Sequence, residues 1–262
     1  MNRFGRLLCA LASRAPRLPR ALPLCLALGA GCGEEVAAAP QAAPSPAAPE
    51  LFVSPAGDDG NPGTQARPFR TLARGLGALS PGLSLVLRGG VYEEAITWVP
   101  AGASWQRPVT VRAAAGEPVV LRPPAGAERV VTLIGTQYVV LQGLVLDGAR
   151  VSLDGVKITY SSTAPVAAHH VRLVDCEIKN APHQGVLVTA MRDQGGGDHN
   201  EFLRLKVHDN GTTDFDHGYY LSTADNLIEG GEVYRNAGWG VHVYAEQGSG
   251  VDRNQIRGCR VH

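Results

Sequence analysis

From position 145 onward the chain repeats one arrangement of apolar and polar residues: a short apolar strand, a turn holding Asn or Asp, a glycine, and a second strand of alternating side chains. Aligned on Val145, Ile178, Val207, Val233 and Val261, the strand centres are 33, 29, 26 and 28 residues apart. The glycines that follow are Gly155, Gly185, Gly218 and Gly240. After each comes a triplet that alternates inward, outward, inward: Val156-Lys157-Ile158, Val186-Leu187-Val188, Tyr219-Tyr220-Leu221 and Val241-His242-Val243. A strand of about three residues cannot bury an apolar face alone, but like stacked on like at about 4.8 Å builds a continuous core. The pattern therefore predicts an all-β right-handed parallel β-helix. A β-sandwich or barrel is the alternative, and it wants hairpin turns of the Asn-Gly or Asp-Gly type. Asp147-Gly148 and Asn210-Gly211 supply two such dipeptides. Both fall at the same phase of the repeat, as stacked turns do.

The pattern upstream is different. Leu51-Phe52-Val53-Ser54-Pro55 reads as a strand, and a Gly/Asp/Asn loop follows through Asn61-Pro62-Gly63-Thr64. Phe69, Leu72, Leu76 and Leu79 keep helical spacing, with Pro68 placed as a first-turn proline. A Pro81-Gly82 turn ends this helix, and Leu83, Leu85 and Leu87 alternate into Arg88-Gly89-Gly90-Val91-Tyr92. Strand, loop, helix and strand over 51–95 would form a cap, covering apolar core and unpaired edges at the end of the coils that occupy 96–262. With the coils, this segment resembles the N-terminal cap of the pectate-lyase-like superfamily of secreted β-helix proteins, although Leu83 stands where that family has an acidic residue. The resemblance implies the fold and a polysaccharide partner. It leaves open uronate lyase, glycoside hydrolase, epimerase and non-catalytic members.

Residues 1–31 read as an export signal. Arg3, Arg6, Arg14, Arg17 and Arg20 precede an apolar run, Ala21 to Gly31, whose 11 residues are too few to span a bilayer. Leu28-Gly29-Ala30-Gly31-Cys32 resembles a bacterial lipobox, with Gly29 where leucine is usual; the resemblance implies lipidation of Cys32. The Ala/Pro-rich stretch 32–50 cannot fold and reads as a tether, so the expected place of the protein is the cell envelope or beyond, touching membrane only through the lipid. The chain stops one residue after a core strand begins, which predicts further coils beyond His262 and a full-length monomer.

Composition narrows the partners. The 262 residues carry no net charge, with 24 basic and 24 acidic side chains, so no basic stripe points to nucleic acid. Cys176 and Cys259 each lie two residues before a core position, in one inward column about 14 Å apart at the inter-strand spacing, too far for a disulfide. They are expected as buried thiols.

Candidate chemistry falls on the column after the glycines. Lys157, Leu187, Tyr220 and His242 point outward, and long turns bring Asp154 and Asp214-Phe215-Asp216-His217 beside them. Elimination from a uronic acid needs a base for the proton beside the carboxylate and a cation or donor for the charge that develops. Lys157, His217, Tyr220 and His242 are the candidate proton-transfer groups, and Asp214 and Asp216 offer oxygen ligands for Ca²⁺. Tyr234, Trp239 and Tyr244 would bind sugar. Two alternatives stand beside the lyase: a binding or structural module built on those aromatics, and glycoside hydrolysis by Asp154, Asp214 and Asp216. Each of these residues taken singly is equally at home on a solvated face or in a turn. His169-His170, His183, His199 and His208 share no ligand-like helix and no cysteine partner, so a histidine-held metal is not expected.

Overall fold

The computed structural model describes residues 48–163, 165–191, 193–245 and 250–262. The residues read as an export signal, Cys32 and all but the end of the stretch read as a tether lie outside them. Among the described residues the strands form three parallel sheets of eight, seven and five strands, and every neighbour in a sheet belongs to the next coil. Right-handed parallel crossovers of this kind wind the chain into a β-helix.

Each sheet contributes one inward column. In the first it runs Leu85, Val111, Leu141, Leu173, Phe202 and Ile228, all in Cα register and all buried. In the second it runs Leu121, Leu146, Ile178, Val207 and Val233. The partner of Ile178 is thus Leu146 rather than Val145, which pairs with Glu177 and is half-exposed. The run Leu144-Val145-Leu146 is apolar at every position, so alternation does not reveal which residue turns inward. The third sheet, Val131–Ile134, Val156–Thr159, Val186–Val188, Tyr219–Leu221 and Val241–Val243, keeps the expected alternation, with Val156, Val186 and Tyr219 inward and Lys157, Leu187, Tyr220 and His242 outward.

The glycines before this sheet are a steric requirement. A Cβ on Gly155 would sit 2.7 Å from the carbonyl oxygen of Gly185, one on Gly185 2.7 Å from that of Gly218, and one on Gly218 2.6 Å from that of Gly240. Those same carbonyls accept the amides of Val156, Val186 and Tyr219 at 2.9 Å. Any side chain would push the next coil away.

Three corners join the sheets, and each holds residues with left-handed backbone, one per coil. Tyr138, His170, His199, Asp225 and Arg253 occupy the first (φ 49–58° for the whole non-glycine set at these corners except Asn180, φ 61°). Asp175 and Arg204 mark the second; Asn180, Asp209 and Arg235 mark the third. Arg204–Asp175, Arg235–Asp209 and Arg253–Asp225 ion pairs then tie successive coils at each corner. Being exposed, they are screened by solvent and contribute little to stability. Inside the corners, Asn200, Asn226 and Asn254 pass hydrogen bonds from coil to coil, as do Asn210 and Asn236.

The N-terminal segment caps this stack in a form that differs in detail from the sequence pattern. Its first strand begins at Glu50 and already pairs in parallel with Ser84–Leu87 as a rung of the first sheet. The helix is Leu72–Gly77, with Thr71 as its N-cap, so Pro68 precedes the helix and Phe69 bridges back to Val53. The cap is overdetermined: the Thr71 hydroxyl accepts the Arg74 amide, Asp59 accepts the amides of Arg70 and Thr71, and the Glu94 carboxylate accepts those of Leu72 and Ala73. Cys176 and Cys259 are both free thiols, as expected; Cys176 is buried and its thiol is pushed up to about 11, whereas Cys259, in the last described coil, is half-exposed.

Candidate functional site

The outward column of the third sheet ends in a cluster of rings. His217 precedes its glycine and His242 follows the next one, so the two imidazoles meet across adjacent coils with centroids 4.5 Å apart and His242 Nδ1 2.8 Å from His217 Nε2. Tyr220 lies 4.9 Å from His242, Trp239 4.9 Å and Tyr244 5.7 Å. Trp239 and Tyr244 are mostly solvent-exposed, at 65% and 55%, and so leave ring area open to a ligand.

Backbone geometry assigns the protons of this pair. The amide of Trp239 donates to His217 Nδ1 at 3.0 Å, so that nitrogen keeps its lone pair and the ring proton sits on Nε2. His217 Nε2–H then donates to His242 Nδ1, which leaves the His242 proton on its own Nε2. Protonating His217 would place a second N–H against the Trp239 amide. Burial first, and the neighbouring His242 second, accordingly hold the His217 imidazole below its usual range, against the opposing pull of Asp216. The neutral pair is a hydrogen-bond donor aimed through His242.

Residues that carry no motif build this arrangement. Gly238 has no side chain because a Cβ there would lie 2.5 Å from His217 Nδ1. Gln184, one coil earlier, accepts the His217 amide at 2.6 Å and donates to the Phe215 carbonyl at 3.0 Å. His183 Nδ1 bonds Asp216 Oδ1 at 2.8 Å. The other oxygen of Asp216 accepts the amides of Thr212 and Thr213 and the Thr213 hydroxyl. Burial alone would raise the Asp216 carboxyl, yet these bonds outweigh it and hold the group down at about 2.

The structure thus sorts the residues singled out in the sequence. His217, Tyr220, His242, Trp239 and Tyr244 come together. Lys157 shares their column but stands two rungs from Tyr220, with Leu187 between, and lines a cleft of about 580 Å³ with Arg129, Thr132 and Tyr160. Tyr234 does not join them: it lies on the second sheet, stacked on His208 at 4.6 Å with Arg235 4.7 Å over its ring. Asp154 is buried against Arg129 and the Gln184 amide. Asp214 is exposed, whereas the oxygens of Asp216 are taken up by His183 and by its own loop.

No protein-family model matches the chain. An uncharacterized Bacillus subtilis (strain 168) protein, YwoF, is 31% identical over 133 residues, covering 47% of this chain and 28% of its own. Among solved structures, pectate lyase Pel9A superposes with a TM-score of 0.56 at 15% identity over 71% of this chain and 48% of its own. XylC in complex with xylose gives 0.57 at 10% over 81% and 63%, and a rhamnogalacturonan lyase 0.50 at 13% over 82% and 62%. The chain spans less than two thirds of the length of each of these proteins. At such identities the likeness is one of architecture, and with the three parallel sheets it gives this chain the pectate-lyase-like right-handed parallel β-helix fold.

Proposed function

We propose that the ring cluster on the third sheet binds a uronate-containing polysaccharide and cleaves it by β-elimination. The observation that carries the reading is the fixed tautomer of the His217–His242 pair, which turns His242 into a neutral N–H donor beside Tyr220 and two exposed aromatics. In an elimination, the proton beside the carboxylate leaves and negative charge builds on the carboxylate oxygens. A preset donor at that point lowers the barrier without having to reorganise. His242 Nε2–H fills this role; the deprotonated Tyr220 oxygen takes the proton from the carbon beside the carboxylate, and the phenol so formed returns it to the glycosidic oxygen as that C–O bond breaks and the double bond forms. This narrows the four candidate proton-transfer groups, because His242 spends its Nδ1 lone pair on His217. Trp239 and Tyr244 hold the sugar rings. Lys157, about 10 Å from Tyr220 at two inter-strand steps, meets a carboxylate further along the polymer.

The likeness to the two lyases in architecture is consistent with this reading and adds no residue to it. Hydrolysis fits less well: Asp216 is held ionised by its loop and His183, and the Asp154 oxygens are engaged by Arg129 and the Gln184 amide, so neither is placed as the acid that reaction needs. A non-catalytic binding module remains the second reading, favoured by the exposure of Trp239 and Tyr244. The test is a panel of uronate polymers followed by ultraviolet absorbance of the unsaturated product. Turnover that depends on Tyr220 and His242 supports elimination. Saturable binding with no product supports the module.

A further inference from the structure

A second group of histidines stands at the first corner of the β-helix, away from the third-sheet face. His169 and His170 open the strand His169–Val174. Successive side chains of a strand normally point to opposite faces. Here His170 has left-handed backbone, φ 51°, and the turn brings its ring to the same side as its neighbour. The result is two Nδ1 atoms 2.6 Å apart. Asp198, from the following coil, completes a set in which one ligand atom from each residue lies within 4.8 Å of the other two. Its backbone carbonyl accepts the His170 amide at 3.1 Å, and His199 Nδ1 stands 3.3 Å from its carboxylate. The His170 ring is packed between His199, stacked at 4.9 Å and 8°, and Tyr138 at 4.8 Å.

We propose that His169, His170 and Asp198 bind one divalent transition cation of the Zn²⁺ class, which clips two adjacent coils together. Two imidazole nitrogens and a carboxylate oxygen are the donor set such an ion takes, with a position left for water. Hard cations such as Ca²⁺ prefer six or more oxygens, which this corner does not supply. At 2.6 Å one Nδ1 donates its proton to the other, and an ion is admitted once both rings carry their proton on Nε2 instead. A tetrahedral ion at about 2.0–2.1 Å from each nitrogen would set them about 3.3 Å apart, so a small opening of the pair admits it. His199 then serves as the outer partner that orients the carboxylate. Linear spacing hid the group because its members come from two coils and converge only through the turn at His170.

The experiment is a calorimetric titration of the full chain with Zn²⁺ after dialysis against a chelator, with Co²⁺ absorption as the spectroscopic check. Binding of one ion per chain is expected. It should be lost in the double variant His169→Ala/His170→Ala and in Asp198→Asn, weakened about 10–100-fold in His199→Gln, and kept in His217→Ala. Asp198→Asn leaves both rings in place, so it answers the question if the double variant does not fold. Three results overturn the proposal: no saturable Zn²⁺ binding, one-ion binding that survives in Asp198→Asn and the double variant, or binding lost in His217→Ala instead.

Discussion

Two imidazole pairs stand on one β-helix and are wired in different ways. At the third sheet, His217 and His242 meet Nε2 to Nδ1, and the Trp239 amide fixes which nitrogen carries each proton. At the first corner, His169 and His170 meet Nδ1 to Nδ1 beside the carboxylate of Asp198. The difference lies in what approaches the far side of the ring. A backbone N–H aimed at one nitrogen sets a direction of donation and suits the pair to stabilising charge on a substrate. A carboxylate across two facing ring nitrogens suits the pair to holding a cation once their shared proton has moved away. On the proposed readings, identical side chains would take on separate chemistry from the position of one backbone amide and one carboxylate.

The strongest way to break this contrast is kinetic. Tyr220→Phe and His242→Ala should each lower the elimination rate by about 10²–10⁴-fold at unchanged thermal stability, the usual cost of a proton-transfer or donor group. If both variants keep full turnover, the directed pair is only a packed face. Next in size is Gly238→Ala, whose methyl would overlap His217 Nδ1 and the carbonyls of Asp214 and Asp216. It should cost about 1–3 kcal/mol in urea unfolding and reduce activity, while Zn²⁺ titration at the corner is unchanged. Equal disturbance of both would show that the pairs are coupled.

Smaller still is Trp239→Ala. It removes an exposed ring but keeps the amide, so KM should rise about 5–10-fold, in line with roughly 1 kcal/mol of aromatic contact, with kcat nearly unchanged. A fall in kcat instead would mean that the indole itself positions the pair. The smallest effect is the pH dependence. His217 is held below the ordinary 6.5, so the directed pair is intact above that value and is lost as pH falls through the lower folded one. Both the rate and the His217 contribution to stability should therefore decline on the acid side of 6.5. Histidine nitrogen chemical shifts from NMR, followed through the same range, should report His217 as the Nε2–H tautomer until that point; an Nδ1–H signal would contradict the assignment.

The fold was readable because its period is carried by residues whose role is local. Val186-Leu187-Val188 and Tyr219-Tyr220-Leu221 alternate, and the glycines before them mark where one coil's carbonyl touches the next. The register at Val145 was not, since three apolar residues in a row give no alternation to follow. The helix start was misplaced for a similar reason: Pro68 has the chemistry of a first-turn residue, but the cap depends on Asp59 and Glu94, 12 residues before Thr71 and 22 after Leu72. Of the site, Tyr220 and His242 could be found from the column and Trp239 from its aromatic ring, whereas Gln184, Gly238 and the Trp239 amide act on backbone groups or through the backbone and carry no motif. Tyr234 shows the converse, an aromatic close in sequence that faces another sheet.

The glycine row has a consequence for how such a molecule can be altered. Measured from the core residue of the second sheet, the turn before each glycine takes 9, 7, 11 and 7 residues, from Leu146 to Gly155, Ile178 to Gly185, Val207 to Gly218 and Val233 to Gly240. The strand that follows nevertheless starts at one height in every coil, because the carbonyl of the next glycine meets the bare Cα and its own strand's amide. The row works as a detent: whatever length of loop arrives, the chain drops into the same notch. Loops at this edge can be lengthened, shortened or exchanged without disturbing the spacing of the outward column, so the reach of the site and the pitch of the scaffold are separately adjustable.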